Sequence, residues 1–171
     1  MPPARAAAVF RFRVALGVFW IGLVLSGVTA FPLLHELRLL VSILNLEHGG
    51  GGVVGSAFGE WIVRVKNGLE EAHLRQPWLA YGTDWLAFGH LMIALFFVGP
   101  WLQPIGSRGV LRTGVVACLL VIPTALVCGQ VRGIPFGWRL IDCSFGIGGL
   151  PPLLYCLRQL DQIEAADSPR T

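Results

Sequence analysis

Gln130-Val131-Arg132-Gly133-Ile134-Pro135-Phe136-Gly137-Trp138-Arg139-Leu140-Ile141-Asp142-Cys143-Ser144-Phe145-Gly146 is the stretch whose reading decides the fold. It sets two arginines and an aspartate around a Gly-Ile-Pro-Phe-Gly turn, between two long apolar runs at about 110–129 and 140–157. Each run is long enough for a helix to cross the roughly 30 Å of hydrocarbon in a bilayer. The stretch therefore reads as the last loop of a membrane protein and the helix that it feeds.

The rest of the chain agrees. Its 171 residues suit one domain, 1–171. Apolar residues make up 54% and charged residues 13%, about half the charged share of roughly 25% in soluble domains. Mean hydropathy is +0.67, and Lys66 is the one lysine. This composition is that of an integral membrane protein. A net charge of +3 with scattered arginines gives no phosphate-binding patch, so nucleic acid is excluded as a partner. Cys118, Cys128, Cys143 and Cys156 all lie in apolar stretches without C-x-x-C spacing, which points neither to zinc nor to thioredoxin-type chemistry.

Four spans are expected, at about 14–31, 85–102, 110–129 and 140–157. The first runs from Val14 to Phe31 without a charge and stops at Pro32. Arg5, Arg11 and Arg13, the run from Val14 to Leu25, and Val28-Thr29-Ala30 also fit a cleaved signal peptide, the competing reading of this segment. His90 interrupts the second span, Pro123 marks a kink in the third, and Pro151-Pro152 lie in the fourth. The polar tail beyond Arg158 is expected to fray.

The connection between the first two spans is expected to hold two amphipathic helices. In 33–47, His35, Arg38, Ser42 and Asn45 form a polar stripe at helical spacing. His48 and Gly49 to Gly52 then break the chain. In 57–75, Phe58, Trp61, Ile62, Val65, Leu69 and Ala72 share a face, and Glu60/Arg64, Lys66/Glu70 and Glu71/Arg75 are i,i+4 pairs. The fold expected is an all-α four-helix bundle with these two helices over its extracytoplasmic end. Arginine placement orients it with both termini cytoplasmic.

That topology gathers polar groups at the outer face. Asp84 begins the second span, with His90 about 9 Å deeper at helical rise. Gln130 and Arg132 follow the third span, and Arg139 and Asp142 begin the fourth. Each has a plain structural reading as well. Arg139 and Asp142, at i,i+3, suit an ion pair at the helix start, and Asp84 or Thr83 suits a helix cap. Arg132 suits an interfacial anchor beside Trp138. A neutral His90 bonded to Asp142, Tyr81 or a carbonyl needs no function.

Two sharper readings stand beside these. Gln130, Arg132, Arg139 and Asp142 are candidates for an anion or ligand site, because two guanidinium groups flank a turn that feeds a helix start. An anionic lipid headgroup or a carboxylate ligand fits it. Asp84 and His90 are candidates for a catalytic base. His35, Glu36, Glu70 and His73 are weak metal candidates, since a single Glu-x-x-His lacks the second copy that such sites use. No metal and no cofactor is expected. Cys128 and Cys143 lie almost symmetrically about Pro135, where a disulfide or the packing of free thiols is expected. Ser144-x-x-x-Gly148 with Gly149, and Ser26-x-x-x-Ala30, have the small-xxx-small spacing of close helix packing.

Leu79-Ala80-Tyr81-Gly82-Thr83-Asp84-Trp85-Leu86-Ala87-Phe88-Gly89-His90, the run from Gly133 to Gly146, and Phe31-Pro32-Leu33 carry a resemblance. The chain resembles a family of small bacterial four-span inner-membrane proteins with no assigned activity. The resemblance implies a bacterial inner membrane and four uncleaved spans, and nothing about chemistry. The leading expectation is a non-catalytic component that binds a partner membrane protein or a lipid through the outer polar layer. The alternative is a membrane-embedded enzyme acting on a lipid or small molecule there, and a transporter subunit comes third.

Overall fold

A computed structural model describes residues 3–46 and 56–166, and these are helical throughout apart from short connections. Seven α-helices follow in order: α1 (Pro3–Ala30), α2 (Leu33–Ile43), α3 (Ala57–Arg75), α4 (Ala80–Phe96), α5 (Val98–Leu102), α6 (Arg108–Val131) and α7 (Phe136–Ala165). A single 3-10 turn, Pro77–Leu79, precedes α4. Four helical segments are long and apolar enough to cross a membrane: α1, Pro77–Leu102, α6 and α7. They are apolar outside as well as inside. Val18 and Ile21 of α1 and Leu120 and Val127 of α6 are exposed, and a helix hydrophobic all round is one whose outer face meets lipid.

The described residues divide into two compact units, one of residues 3–23 and 92–166 and one of residues 24–46 and 56–91. The first is built on the α6–α7 hairpin. Gly129 faces Arg139, Cys118 faces Gly149, and Gly114 faces Leu153, so the two helices are antiparallel with their register centred on Gly133 and Ile134. The turn itself explains this centre. Gly133 takes φ +69 and donates its N–H to Gln130 O (3.2 Å), while Ile134 N–H reaches Gly129 O (2.8 Å). This is a Schellman ending, which needs a left-handed residue after the helix and favours glycine there. Pro135 then sets up α7, since its ring suits the start of a helix and not its interior.

Glycines let α6 and α7 approach closely. A Cβ at Gly146 would strike the Cys118 backbone carbonyl, and one at Gly149 would lie 2.7 Å from Cys118 Sγ. The contact pair is thus Gly146 and Gly149. Ser144 and Gly148 of the expected small-xxx-small pattern are exposed, and nothing lies within 4 Å of a Cβ on Gly148. Of the residues expected to pack, Gly149 does so, and its partner on the packed face is Gly146, three residues before it, instead of the Ser144–Gly148 pair four apart.

The N-terminal half of α1 completes this unit's core. Ala8, Phe12 and Leu16 are buried with Phe97, Leu111, Leu153, Cys156, Leu160 and Ile163. Residues that cleavage after Ala30 would remove therefore supply part of the core. Phe19 meets Phe97 edge to face at 4.9 Å, and Trp20 Nε1 donates to Ala94 O at 3.0 Å.

Two boundaries differ from expectation for one reason. The helix of the first span begins at Pro3, and α7 continues to Ala165. In α7 the buried residues Leu153, Cys156, Leu160 and Ile163 recur at three and four residues, so its apolar stripe holds the polar segment in the helix instead of letting it fray.

In the second unit, α2 ends at Ile43, earlier than expected. Asn45, expected in the polar stripe, takes φ +50; its N–H reaches Ser42 O and that of Leu46 reaches Val41 O. Asparagine is the non-glycine residue that tolerates this left-handed cap. Glu47 and the His48–Gly52 break lie outside the described residues. Ser56 caps α3 by accepting from Gly59 N (3.1 Å). Lys66–Glu70 and Glu71–Arg75 stand at 4.0 and 3.3 Å. Arg38 of α2 reaches Glu70 of α3 at 2.7 Å. A Cβ on Gly27 would come within 3.1 Å of Ala87 O and His90 Cβ, so α1 and α4 are closely apposed here.

Candidate functional site at the turn between α6 and α7

The candidate residues of the last loop do not act alike. Arg139, one turn into α7, folds back over α6. Its stem crosses Gly129, where a Cβ would lie 2.5 Å from Cδ and 2.6 Å from Cγ. Its Nη1 donates to Leu126 O at 3.3 Å, and its guanidinium sits 5.4 Å from the Phe136 ring centroid. The expected Arg139–Asp142 ion pair is absent among the described residues. The cause is local: with only a glycine at 129, the Arg139 stem can lie against α6, where its Nη1 reaches the second lone pair of the Leu126 carbonyl. Arg139 is therefore a clasp across the hairpin.

Arg132 and Asp142 are placed differently. Both line one open groove of about 650 Å³ along the α6–α7 face. Its wall is apolar or small, with Ala117, Leu120, Val121, Ala125, Cys128 and Ile134, and Thr124 and Gly129 complete it. Thr124 spends its hydroxyl on Leu120 O (2.7 Å). Arg132 is exposed at the C-cap of α6 and Asp142 is half-buried. Among the described residues, neither side chain has a hydrogen bond or an ion pair. Of the two arginines, Arg132 lines the groove and Arg139 does not. Gln130 is exposed, and its carbonyl closes the turn.

Register sets the levels of the two charges. With the hairpin centred on Gly133 and Ile134, Asp142 stands opposite Ala125 on α6. Arg132 is seven residues nearer the turn, about 10 Å at helical rise. Side chains lean toward the N-terminus of their own helix. Arg132 leans away from the turn and Asp142 toward it, so the charged ends approach a common level.

Asp84 and His90 belong to the second unit. Asp84 is the fifth residue of α4, so neither it nor Thr83 caps that helix; Thr83 Oγ1 donates to Ala80 O instead (2.6 Å). The apolar 3-10 turn Pro77–Leu79 extends the helical segment backwards and moves both residues inside it. His90 Nδ1 meets Leu86 O at 2.9 Å, which leaves Nδ1 as the donor. Six residues apart on one helix, Asp84 and His90 project about 120° apart around its axis. His35 and His73 are exposed, Glu36 is half-buried, and Glu70 is engaged by Arg38 and Lys66. No three of His, Cys, Asp and Glu converge on a metal position among the described residues. All four cysteines are free thiols. Cys128 is exposed and Cys143 buried against Ile122 O (3.8 Å), because the hairpin centre lies about two residues before the symmetry point of that pair.

The far end of the first unit carries polar contacts that the sequence reading did not reach. Arg108 Nη2 donates to Asp161 Oδ1 (2.7 Å) and Glu164 Oε2 (2.6 Å), joining the first residue of α6 to the last turns of α7. Arg13 donates to the carbonyls of Trp101 (3.1 Å) and Leu102 (3.2 Å), and Trp101 Nε1 returns a bond to Arg13 O (3.2 Å). One sequence signal could have found the Arg108 contact. The stripe Leu153, Cys156, Leu160, Ile163 extends α7 and puts Asp161 and Glu164, at i,i+3, on one side of it.

The chain was compared with protein-family models, with curated proteins and with solved structures, and none of the three comparisons found a match.

Proposed function

We propose that the protein is a non-catalytic, multi-pass membrane component that holds a phospholipid at the α6–α7 turn. In this reading it forms a four-helix bundle in a bacterial inner membrane, as its resemblance to the small four-span family implies. Both termini are cytoplasmic, and α2 and α3 are amphipathic helices on the outer side. The lipid's phosphate lies at Arg132 and an acyl chain lies against Leu120, Val121 and Ala125.

The single observation behind this reading is that one groove joins an apolar wall to an arginine that has no side-chain partner among the described residues. An amphiphile has that same division of surface. Lipid contact on the apolar wall needs no directed bond, whereas a guanidinium beside it attracts an anion and can bond it through two N–H groups. Arg139 is left out because its guanidinium is committed to Leu126 O and Phe136.

The test is the lipid content of the protein purified in a mild detergent, measured by mass spectrometry. Arg132→Gln is expected to lower bound phospholipid several-fold while membrane abundance and thermal stability hold. Unchanged phospholipid in that variant would overturn the reading.

A further inference from the structure

We infer that the headgroup held at this groove carries a primary amine next to its phosphate, as in an aminophospholipid. The inference rests on the phospholipid reading above and names the class of lipid. Its observation is the second charge. Asp142 lines the same groove as Arg132, and neither has a side-chain partner among the described residues.

A site for a purely anionic headgroup would gain nothing from a carboxylate in its lining, since like charge opposes the ligand. An ionisable group within a membrane span is costly unless it is paired. Among the described residues this carboxylate is unpaired although Arg139 stands three residues away, because that arginine crosses to Leu126 O of α6. A ligand that brings a cation satisfies Asp142, and one that brings an anion satisfies Arg132. A phosphodiester with a primary ammonium brings both and is neutral overall, as is the Arg132–Asp142 pair. The opposing lean of the two side chains brings their charged ends closer in level than the roughly 10 Å between their backbone positions. A quaternary ammonium has the charge but no N–H to donate, so it bonds the carboxylate less well.

The test uses the full-length protein reconstituted in vesicles of equimolar phosphatidylethanolamine, phosphatidylglycerol and phosphatidylcholine with matched acyl chains. Bound lipid is read by native mass spectrometry after extraction. A charge-assisted hydrogen bond is worth roughly tenfold in affinity. The wild type is therefore expected to enrich phosphatidylethanolamine several-fold, up to about tenfold, over the other two. Stepwise N-methylation of the headgroup should erode that preference in the wild-type protein, a readout independent of any variant's folding. Asp142→Asn should remove the preference and retain lipid, whereas Arg132→Gln should lose lipid of every class.

Bound lipid without headgroup preference, or a preference that survives Asp142→Asn, would overturn the amine assignment and leave the phospholipid reading standing. A wild-type protein released without lipid would overturn both. That last outcome is the one expected if a partner's membrane helix fills the groove.

Discussion

The stem of Arg139 lies directly across Gly129, so closely that a methyl group on Gly129 would fall 2.5 Å from Arg139 Cδ. The last turn of α6 and the first turn of α7 are thereby locked together, and Arg139 Nη1 adds its bond to Leu126 O. Gly129→Ala must push the stem aside. Overpacking of this kind typically costs about 1–3 kcal/mol, read as a lowered midpoint of thermal unfolding in detergent. In an Arg139→Ala background the same substitution should cost little, with a coupling energy of about 1 kcal/mol or more across the double-mutant cycle. An equal cost in both backgrounds would show that Gly129 is required for another reason.

The α6–α7 seam gives a sharper contrast. At Gly146 an added methyl meets the Cys118 carbonyl, a backbone atom that cannot rotate away, whereas at Gly148 it meets nothing within 4 Å. Gly146→Ala should destabilise by at least the upper part of the ~1–3 kcal/mol overpacking range. Gly148→Ala should be neutral or stabilise by up to about 1 kcal/mol, since glycine is a poor helix former. Thermal midpoints of the two single variants decide it. Equal effects would place the packed face elsewhere.

Arg108 binds two carboxylates through one nitrogen, and all three groups remain partly exposed. Salt screens pairs of this kind. Arg108→Gln should lower the thermal midpoint more than either Asp161→Asn or Glu164→Gln alone, because each single acid variant leaves one partner in place. The difference from wild type should shrink as salt is raised. A salt-independent loss would mean that the arginine stem, not its charge, holds the end of α7.

Legibility followed the range of the interactions. Val110 to Gly129 announces a membrane helix because the signal is local, a length of apolar chain set against the thickness of a bilayer. The Gly133–Pro135 turn is equally local, needing one left-handed residue and one proline. Helix ends were read less well. The start of α1 at Pro3 and the end of α7 at Ala165 depend on packing against other helices, which supports polar residues that would fray alone. Asn45 shows the same limit in miniature, since its residue type suits a polar stripe and a left-handed cap equally.

The site divided in the same way. By itself the sequence determined that Arg132, Arg139 and Asp142 stand around one turn between two apolar runs, because those positions are neighbours along the chain. Only the tertiary structure decided which charges are committed and which are open. Arg139 could pair with Asp142 or cross to α6, and spacing favoured the pair. The close approach permitted by Gly129, with a Leu126 carbonyl within reach, settled it the other way. That choice leaves Asp142 and Arg132 in one groove. It depends on the register between two helices, which a linear pattern of residues does not carry.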